Sequence, residues 1–318
     1  MDSVILTKYT GKDAHVDIPS EHTGHFITSI SNKTFYECSN LKSVMIPKSV
    51  KSIGKEAFMG CQNLLSVNIQ NGLTVIEDRA FDGCHNLASI TIPDSVIEIG
   101  NYAFRGCEKL KNIILSVNIK SISISTFQNC TNLSAIQIPN KVKSIGESAF
   151  ENCRMLKTVC IPRSASSIFA KAFAECDSLK TVNIPDGVLI IGWSAFQNCR
   201  SLSSIVIPNS VVKIEWDAFK GCENLIVLCA KESYAWKYCR ENGISFTTNG
   251  NELQTYEDSI DYEKNGQPLI KTSKNTIDYS YKWMIIILII FLSLVGIIIG
   301  IQLSGIFNLF NWLKSLFE

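Results

Sequence analysis

Cysteine offers more chemistry than any other residue type in this 318-residue chain, because thiolates bind zinc, act as nucleophiles and form disulfides. The chain has twelve cysteines, and nine of them recur every 23 residues: Cys38, Cys61, Cys84, Cys107, Cys130, Cys153, Cys176, Cys199 and Cys222. Zinc sites take close pairs such as C-x-x-C, and the sequence contains none. Nine equivalent side chains cannot all pair in disulfides. We therefore expect buried, reduced thiols that pack as small hydrophobic groups.

The rest of the sequence contains no constellation typical of catalysis. Among four histidines, only His22 and His25 suggest a metal site, and they have no acidic or thiol partner at a useful spacing. A solvated loop is the favoured interpretation of this pair. Phosphate-binding loops, nucleophile elbows and paired carboxylates are missing. We expect no enzymatic activity, no metal and no cofactor, and the net charge of +1 argues against nucleic acid as a partner.

The cysteines form one column of a repeat that occurs nine times. A leucine follows each cysteine by three positions, an isoleucine precedes it by eight, and a phenylalanine precedes it by three: Phe35, Phe58, Phe81, Phe104, Phe127, Phe150, Phe173, Phe196 and Phe219. A period of 20–29 residues is typical of leucine-rich repeats. The predicted fold is a solenoid whose coils bury their apolar faces against one another, with the phenylalanines and cysteines as its structural core.

Each repeat contains two short extended segments. The stretch LKTVCIP, residues 156–162, alternates apolar and polar residues before Pro162, which is typical of a strand with one buried face. We expect Leu156, Val159 and Ile161 to point inward. The stretch VKSIG, residues 142–146, predicts a second extended segment that turns at Gly146.

The third part of each repeat predicts a helical turn. In the stretch ESAFENC, residues 147–153, Ala149, Phe150 and Cys153 are separated by three or four positions or are adjacent. This spacing places all three on one face of a helix. The expected coil therefore consists of short parallel strands and a helical turn.

Both ends of the repeat array depart from the pattern, as end caps would. The solenoid is predicted over residues 1–247, with caps at about 1–34 and 226–247. For the C-terminal cap we expect a strand, a short helix from about Ser233 to Asn242, and a closing strand at Ile244–Thr247.

The repeat IPxSVxxIGxxAFxxCxxLxxV resembles that of the BspA-like leucine-rich repeat proteins. Residues 46–61, IPKSVKSIGKEAFMGC, match it almost position for position, and the resemblance extends over residues 4–248. It implies a right-handed solenoid of short parallel strands without intrinsic enzymatic activity. It also implies use as a cell-surface or adhesion module.

A ladder of outward-facing strand residues is the candidate surface for a protein or glycan partner, because solenoids bind with such extended surfaces. Its candidate residues are Ser43, Met45, Ser66, Asn68, Ser89, Thr91, Asn112, Ile114, Gln137, Thr158, Thr181, Asn183 and Ser204. Ala135, Cys160 and Val206 occupy equivalent outward positions. Cys229 is also expected to face outward, and exposed thiols at Cys160 and Cys229 would favour a reducing compartment.

The C-terminal part predicts a membrane anchor. Residues 248–282 indicate a flexible linker, residues 283–303 a single transmembrane helix, and residues 304–318 a short amphipathic tail. Lys264, Lys271, Lys274 and Lys282 precede the predicted span and Lys314 alone follows it, which favours a cytosolic solenoid by the positive-inside rule.

A stripe of small residues within the predicted span suggests helix association. Ser293, Gly296, Gly300 and Ser304 lie on one face and include a G-x-x-x-G motif. Small residues allow the close backbone approach that holds transmembrane helices together. One expectation is therefore a homodimer that forms through the span. The alternative is that the glycines reflect only the high frequency of glycine in transmembrane helices, without association.

Two functions from different classes follow. The family resemblance favours a membrane-anchored surface adhesion or antigen-like module that binds macromolecules. The N-terminal sequence shows no signal peptide, which favours a tail-anchored intracellular scaffold that faces the cytosol.

Overall fold

The structure is a computed structural model, and it describes residues 3–248. This part of the chain winds into a solenoid of stacked coils. A regular coil has three sides: a strand of three or four residues, a strand of two residues, and a series of turns. Each side stacks on the equivalent side of the next coil. The predicted repeat solenoid of short parallel strands is therefore confirmed.

The first side is the long-strand ladder, which forms two parallel sheets in the orders β2-β5-β7-β9-β11 and β13-β15-β17-β19-β21-β22. Its strands are β2 (His15–Asp17), β5 (Ser43–Ile46), β7 (Ser66–Ile69), β9 (Ser89–Thr91), β11 (Asn112–Ile114), β13 (Ala135–Gln137), β15 (Thr158–Cys160), β17 (Thr181–Asn183), β19 (Ser204–Val206), β21 (Ile226–Leu228) and β22 (Ser245–Thr247). Equivalent residues pair, as Val159 does with Val182. Identical core positions therefore stack directly.

The second side is the short-strand ladder, in which parallel pairing follows the orders β1-β4-β6-β8-β10 and β12-β14-β16-β18-β20. Its strands are β1 (Val4–Leu6), β4 (His25–Ile30), β6 (Ser52–Ile53), β8 (Val75–Ile76), β10 (Glu98–Ile99), β12 (Ser121–Ile122), β14 (Ser144–Ile145), β16 (Ser167–Ile168), β18 (Ile190–Ile191) and β20 (Lys213–Ile214). In addition, β3 (Glu21–His22) pairs antiparallel with β4. An isoleucine ends each two-residue strand from β6 to β20 in this ladder, and each of these isoleucines is buried.

The third side, which we call the turn stack, corrects the prediction of a helical turn. Residues 147–153 make successive turns and no helix. Ser148 and Asn152 have positive φ values of 53° and 62°, whereas a right-handed helix needs negative φ throughout. The same two positions, five before and one before the cysteine, are left-handed in all nine repeats. Ala149, Phe150 and Cys153 are nevertheless all buried.

Residues in the left-handed conformation allow the backbone amides of the turn stack to form hydrogen bonds. The amides of Ser148, Phe150 and Asn152 donate to carbonyl groups of the following coil at 2.8–2.9 Å. The amides between them close turns within their own coil. Alternate peptide groups thus bond between coils and within coils, so a buried stack of turns does not leave these donors unpaired.

Both ladders are interrupted near the middle of the solenoid. Long strands stop pairing between β11 and β13, and short strands stop pairing between β10 and β12. Ser123 stands where the neighbouring repeats have Gly100 and Gly146. Its hydroxyl donates to the carbonyl of Ile99 at 2.6 Å, whereas in those neighbouring repeats a glycine amide uses the equivalent acceptor. A side-chain hydrogen bond therefore replaces a backbone one at this point.

The core between the three sides consists of columns of identical residues. Adjacent phenylalanine rings from Phe35 to Phe219 stack with centroids 4.8–5.7 Å apart and planes within 15° of parallel. All nine phenylalanines are buried. Stacked rings at this spacing add to the burial of apolar area and favour one register between coils.

Irregular segments cover both ends of the core. At the N-terminal end, the Tyr9 ring packs on Phe35 with centroids 4.9 Å apart. At the C-terminal end, the helix α1 (Tyr234–Asn242) begins after Ser233, whose hydroxyl accepts a hydrogen bond from the Trp236 amide. Its Tyr238 packs edge-on against Phe219. The helix expected to begin at about Ser233 begins at Tyr234. The expected closing strand is observed as β22.

Candidate functional site

The nine-cysteine column lies inside the solenoid beside the phenylalanine column. Eight of its members are buried, and Cys38, in the first repeat, is half-buried. Each buried thiol donates to the backbone carbonyl of the phenylalanine in the preceding coil, at 2.9–3.4 Å. Cys130, for example, donates to the Phe104 carbonyl. The sequence explained these cysteines by their size alone and did not reveal the hydrogen bonds that their thiols form between coils.

Burial raises the pKa of eight of the nine thiols in the column, whereas a hydrogen bond with Cys199 lowers the pKa of Cys222. Desolvation raises the pKa of Cys61 to about 12, and it raises the pKa of Cys84, Cys107 and Cys153 well above the ordinary value. The thiolate is the nucleophilic and metal-binding form of cysteine. All twelve cysteines of the chain are free thiols in the structure. The column therefore provides packing and hydrogen bonding between coils.

The prediction that Cys229 faces outward is wrong. In the last repeat the buried Val227 follows Cys222 by five positions, whereas its partner Ile205 stands six positions after the cysteine of its own repeat. A shift of one residue moves every strand side chain to the other face of the sheet. Cys229 is consequently buried, and Cys160, which is half-buried, is the outward-facing member of the pair.

The candidate ladder residues lie on the outer face of the long strands, but their exposure varies along the solenoid. The candidate residues on β7, β9 and β11 are exposed: Ser66, Asn68, Ser89, Thr91, Asn112 and Ile114. Gln137 is exposed as well, whereas the remaining candidates are half-buried: Ser43, Met45, Thr158, Thr181, Asn183 and Ser204. Val206, predicted to face outward, is buried opposite Leu228 in the strand pairing. The open part of the ladder therefore extends from Ser66 to Gln137.

A second surface, which sequence analysis missed, lies on the short-strand ladder and the turns that follow it. We call it the apolar surface, and it comprises Phe169, Leu189, Ile190, Trp193, Val212 and Trp216 from three consecutive repeats. Trp216 is 66% exposed and Val212 is 61% exposed. The available signal was the pair of tryptophans 23 residues apart, at a position that holds asparagine, lysine or aspartate in the first four repeats.

The two tryptophans give the apolar surface an ordered centre. Trp193 and Trp216 stack with ring centroids 5.6 Å apart and planes 7° from parallel. The Lys171 ammonium lies 4.9 Å from the Trp193 ring centroid. Beside the rings, Lys213 and Glu215 form an ion pair at 2.6 Å. An aromatic centre with a charged rim is the usual anatomy of a protein-binding surface.

Family comparison agrees with the repeat geometry. A family model described as BspA type leucine rich repeat region, with six copies, matches residues 28–157, 98–226 and 151–256. These overlapping matches span most of the 318 residues. The chain belongs to the BspA-type leucine-rich repeat family. The resemblance inferred from the repeat sequence is thus confirmed, and no curated protein sequence matches the chain significantly.

Crystal structures similar to this BspA-type chain come from several bacteria. A leucine-rich repeat protein of T. pallidum is 30% identical, with a TM-score of 0.48, over 63% of this chain and 83% of that one. A leucine-rich repeat protein of Bacteroides ovatus is 23% identical, with a TM-score of 0.34, over 76% and 94%. The pneumococcal vaccine antigen PcpA is 17% identical, with a TM-score of 0.45, over 78% and 84%.

The two histidines considered as metal ligands face each other across the β3–β4 hairpin of the N-terminal cap. His22 and His25 are both exposed. Within residues 3–248, no group of three or more histidine, cysteine, aspartate or glutamate side chains could hold a metal ion. The two histidines therefore lie in an exposed hairpin of the BspA-type solenoid.

The predicted anchor lies outside the described residues. This applies to the span at residues 283–303, to nearly all of the linker at 248–282, to the tail at 304–318, and to the stripe of Ser293, Gly296, Gly300 and Ser304. Between residues 3 and 248, no helix is long and apolar enough to cross a bilayer.

Proposed function

We propose that the chain is a non-enzymatic, membrane-anchored BspA-type protein that binds macromolecular partners as a cell-surface adhesion or antigen-like module. The apolar surface is the observation that carries the binding proposal. Soluble monomers rarely expose large contiguous apolar patches, and tryptophan is enriched at the energetic centres of interfaces. Trp193 and Trp216 supply such a centre, and their stacking holds the rings in one orientation before a partner arrives.

The two candidate surfaces contribute unequally in this proposal. The open part of the long-strand ladder is lined by small polar side chains such as Ser66 and Asn68, which rarely dominate binding energy. Ile114, 63% exposed, is its apolar exception. The apolar surface makes the principal contact, and the ladder makes secondary contacts along an extended partner.

Paired variants test the binding proposal. Val212 and Ile97 occupy the same position, thirteen residues after the cysteine, in repeats five apart, and both are exposed. Val212→Asp places a charge in the apolar surface, and Ile97→Asp places the same charge outside it. In affinity capture with residues 1–247, we expect Val212→Asp to weaken retention of a captured partner at least about tenfold, because hot-spot losses begin at about 2 kcal/mol. Equal retention by both variants would remove the apolar surface from the proposal.

The absence of enzymatic activity is part of the same proposal. Burial raises the pKa of the repeated thiols other than Cys222, which keeps them protonated at neutral pH, and the exposed ladder is made mostly of small polar residues. Family membership supports a scaffold role, because function in such solenoids comes from extended binding surfaces.

A tail-anchored scaffold that faces the cytosol is the second candidate, and the free thiols favour it. Unpaired cysteines are typical of reducing compartments. Cys229 is buried, so Cys160 is the partly accessible thiol of that pair. The lysines before the predicted span, Lys264 to Lys282, favour the same orientation.

Antibody staining of intact cells separates the two candidates. An antibody against the solenoid that cannot cross the membrane should label unpermeabilised cells if the solenoid is outside. Labelling that needs permeabilisation would exclude the surface module and leave the cytosolic scaffold. A second antibody against a known cytosolic protein controls for membrane integrity.

A further inference from the structure

A cleft of about 530 Å³ lies on the turn stack across four consecutive repeats. It forms where one row of side chains becomes small. The position five residues before the cysteine holds Arg79 and Tyr102, then Ser125 and Ser148, then Lys171. Two serines between long side chains leave a depression bounded at both ends. Its volume lies in the usual range for small-molecule sites.

Two serines form the floor of the cleft. Ser125 is 4% exposed and Ser148 is 7% exposed. Both serines line the cleft, and neither hydroxyl is sealed away from solvent. Each hydroxyl can therefore donate to and accept from a ligand that enters the cleft.

The walls of the cleft offer both donors and acceptors. The Gln128 side-chain amide donates to Glu151 at 2.7 Å, which fixes both groups and leaves the Gln128 carbonyl free to accept. Glu147 adds a second carboxylate, and Lys171 adds an ammonium at one end. Ile124, which is 41% exposed, provides an apolar wall.

The other end of the cleft is held rigid by a buried ion pair. Arg105 donates to the carboxylate of Asp82 through two nitrogens, at 2.7 and 3.0 Å. Asp82 is buried, and the paired charges cancel locally. An Arg–carboxylate fork of this kind fixes the guanidinium plane. Arg105 can therefore donate its remaining N–H groups to a ligand in the cleft, while Asp82 neutralises its positive charge.

The mixture of groups selects the chemistry of the ligand. An anion would face the carboxylates of Glu147 and Glu151, and a metal ion would face the Lys171 ammonium. Sugar hydroxyls donate and accept at once, so they satisfy serine hydroxyls, carboxylates, an amide and an ammonium together. The C–H face of a sugar ring fits against the apolar side chain of Ile124. We propose that this cleft binds a neutral carbohydrate, as a mono- or disaccharide unit.

This site lies on the turn stack and does not need the anchor, but it shares Lys171 with the apolar surface, since that ammonium also lies 4.9 Å from the Trp193 ring centroid. The test uses the full chain in lipid nanodiscs, since maltoside detergents would themselves compete. Saturation-transfer difference NMR is recorded with maltose, lactose, N-acetylglucosamine and methyl mannoside, and with N-acetylneuraminate as the anionic comparison. We expect saturation transfer to at least one neutral sugar and none to N-acetylneuraminate.

Variants in one row of side chains locate the binding. Ser148→Lys fills the cleft with a side chain that the fold already accepts at Lys33 and Lys171, so the variant should fold and lose the signal. Ser125→Ala removes one hydroxyl and should weaken binding about fivefold, as the loss of one hydrogen bond predicts. Ser194→Ala removes the equivalent hydroxyl outside the cleft and should bind as the unchanged chain does.

Three results would overturn the proposal: no saturation transfer to any neutral sugar, an unchanged signal in a folded Ser148→Lys variant, or a preference for the anionic sugar. The Val212→Asp variant distinguishes this proposal from the proposed function. It should lose partner capture and keep sugar binding, because Val212 does not line the cleft.

Discussion

At the scale of residues, one backbone carbonyl explains why cysteine suits its position in the repeat. The Phe104 carbonyl accepts a hydrogen bond from the amide of Cys107 in its own repeat and from the thiol of Cys130 in the next, both at 3.2 Å. A carbonyl oxygen has two lone pairs, so both bonds are accommodated. A thiol is small enough for the column and still offers a donor, whereas alanine offers none.

Truncation of the phenylalanine column should be costly. Phe127→Ala removes a fully buried ring from the middle of the stack, and we expect a loss of about 3–5 kcal/mol in the free energy of unfolding. Cys130→Ala should cost less, because it removes a smaller group. Urea denaturation of the solenoid gives both values. Phe169→Ala is the control, since Phe169 is half exposed; an equal loss there would contradict the proposed core.

The buried thiols predict a loss of stability at alkaline pH. In the folded state, burial raises the pKa of Cys61 from the ordinary value of 9.0 to about 12. The unfolded chain therefore loses this proton first, so the contribution is complete below pH 9 and is lost as the pH rises towards 12. Each such thiol adds a slope of about 1.4 kcal/mol per pH unit.

Urea denaturation under reducing conditions at several pH values between 8 and 11 measures this slope. Cys61→Ala should reduce it by about the contribution of one thiol. An unfolding free energy that does not fall above pH 9, or an identical slope in the variant, would show that the thiols ionise equally in both states.

What sequence could predict at this scale was the burial of the repeated residues, because a column that recurs every 23 positions must stack. It could not reveal that the thiols donate to phenylalanine carbonyls, since that bond joins different coils. The position of Cys229 was mispredicted for a related reason. One residue fewer in the last repeat changes the strand register, and counting from the repeat pattern ignores that change.

At the scale of elements, the turn stack is the side of the coil that determines backbone geometry. Two left-handed residues per repeat recur, and many of them are not glycine: Glu56, Arg79 and Tyr102 all have φ between 56° and 59°. Such residues cost free energy in isolation. The inter-coil hydrogen bonds of the same segments offset this cost, which explains why the conformation persists in every repeat.

Replacement of Gly83 by alanine measures the cost of the left-handed position. Gly83 has φ +73°, and a methyl group there would meet its nearest atoms at 3.8 Å without a clash. We expect Gly83→Ala to lower the free energy of unfolding by about 1–2 kcal/mol. Gly100→Ala should cost more, because its methyl group would lie 2.5 Å from the Asp78 amide nitrogen. Thermal denaturation ranks the two, and the reverse order would contradict the geometry.

Local patterns predicted the strands and the terminal helix but misread the turns. Alternation of apolar residues identifies a strand directly, and Ser233 with Gly243 marks the two ends of α1. The spacing of Ala149, Phe150 and Cys153 fits a helical turn and a series of turns equally well. The sign of φ separates them, and residue types such as lysine, glutamate or serine do not encode it.

At the scale of the whole molecule, the solenoid presents different chemistry on different sides. The long-strand ladder is polar, the short-strand side carries the apolar surface, and the turn stack carries the cleft. Sequence could identify the polar ladder, because strand alternation reveals which residues face out. It could not assemble Leu189, Val212 and Trp216 into one surface, because that requires the path of the chain between strands.

The predicted membrane span carries its own prediction. If the stripe of small residues associates helices, Gly296→Leu combined with Gly300→Leu should abolish self-association of the isolated span in vesicles, as energy transfer between labelled peptides would report. Ile298→Leu, which lies between the glycines on another face of the predicted helix, should leave association unchanged. A monomeric wild-type span, or association that survives the double replacement, would mean that the chain is anchored singly.

The central claim is that the chain binds a macromolecular partner through the apolar surface. Site-specific photo-crosslinking in intact cells tests it most directly, with the photoreactive residue placed at position 212, at position 68 of the ladder, or at position 97 as the matched control. We expect a discrete adduct of higher mass from position 212, a weaker one from position 68, and none from position 97. No adduct from position 212, or the same adduct from all three positions, would contradict the account.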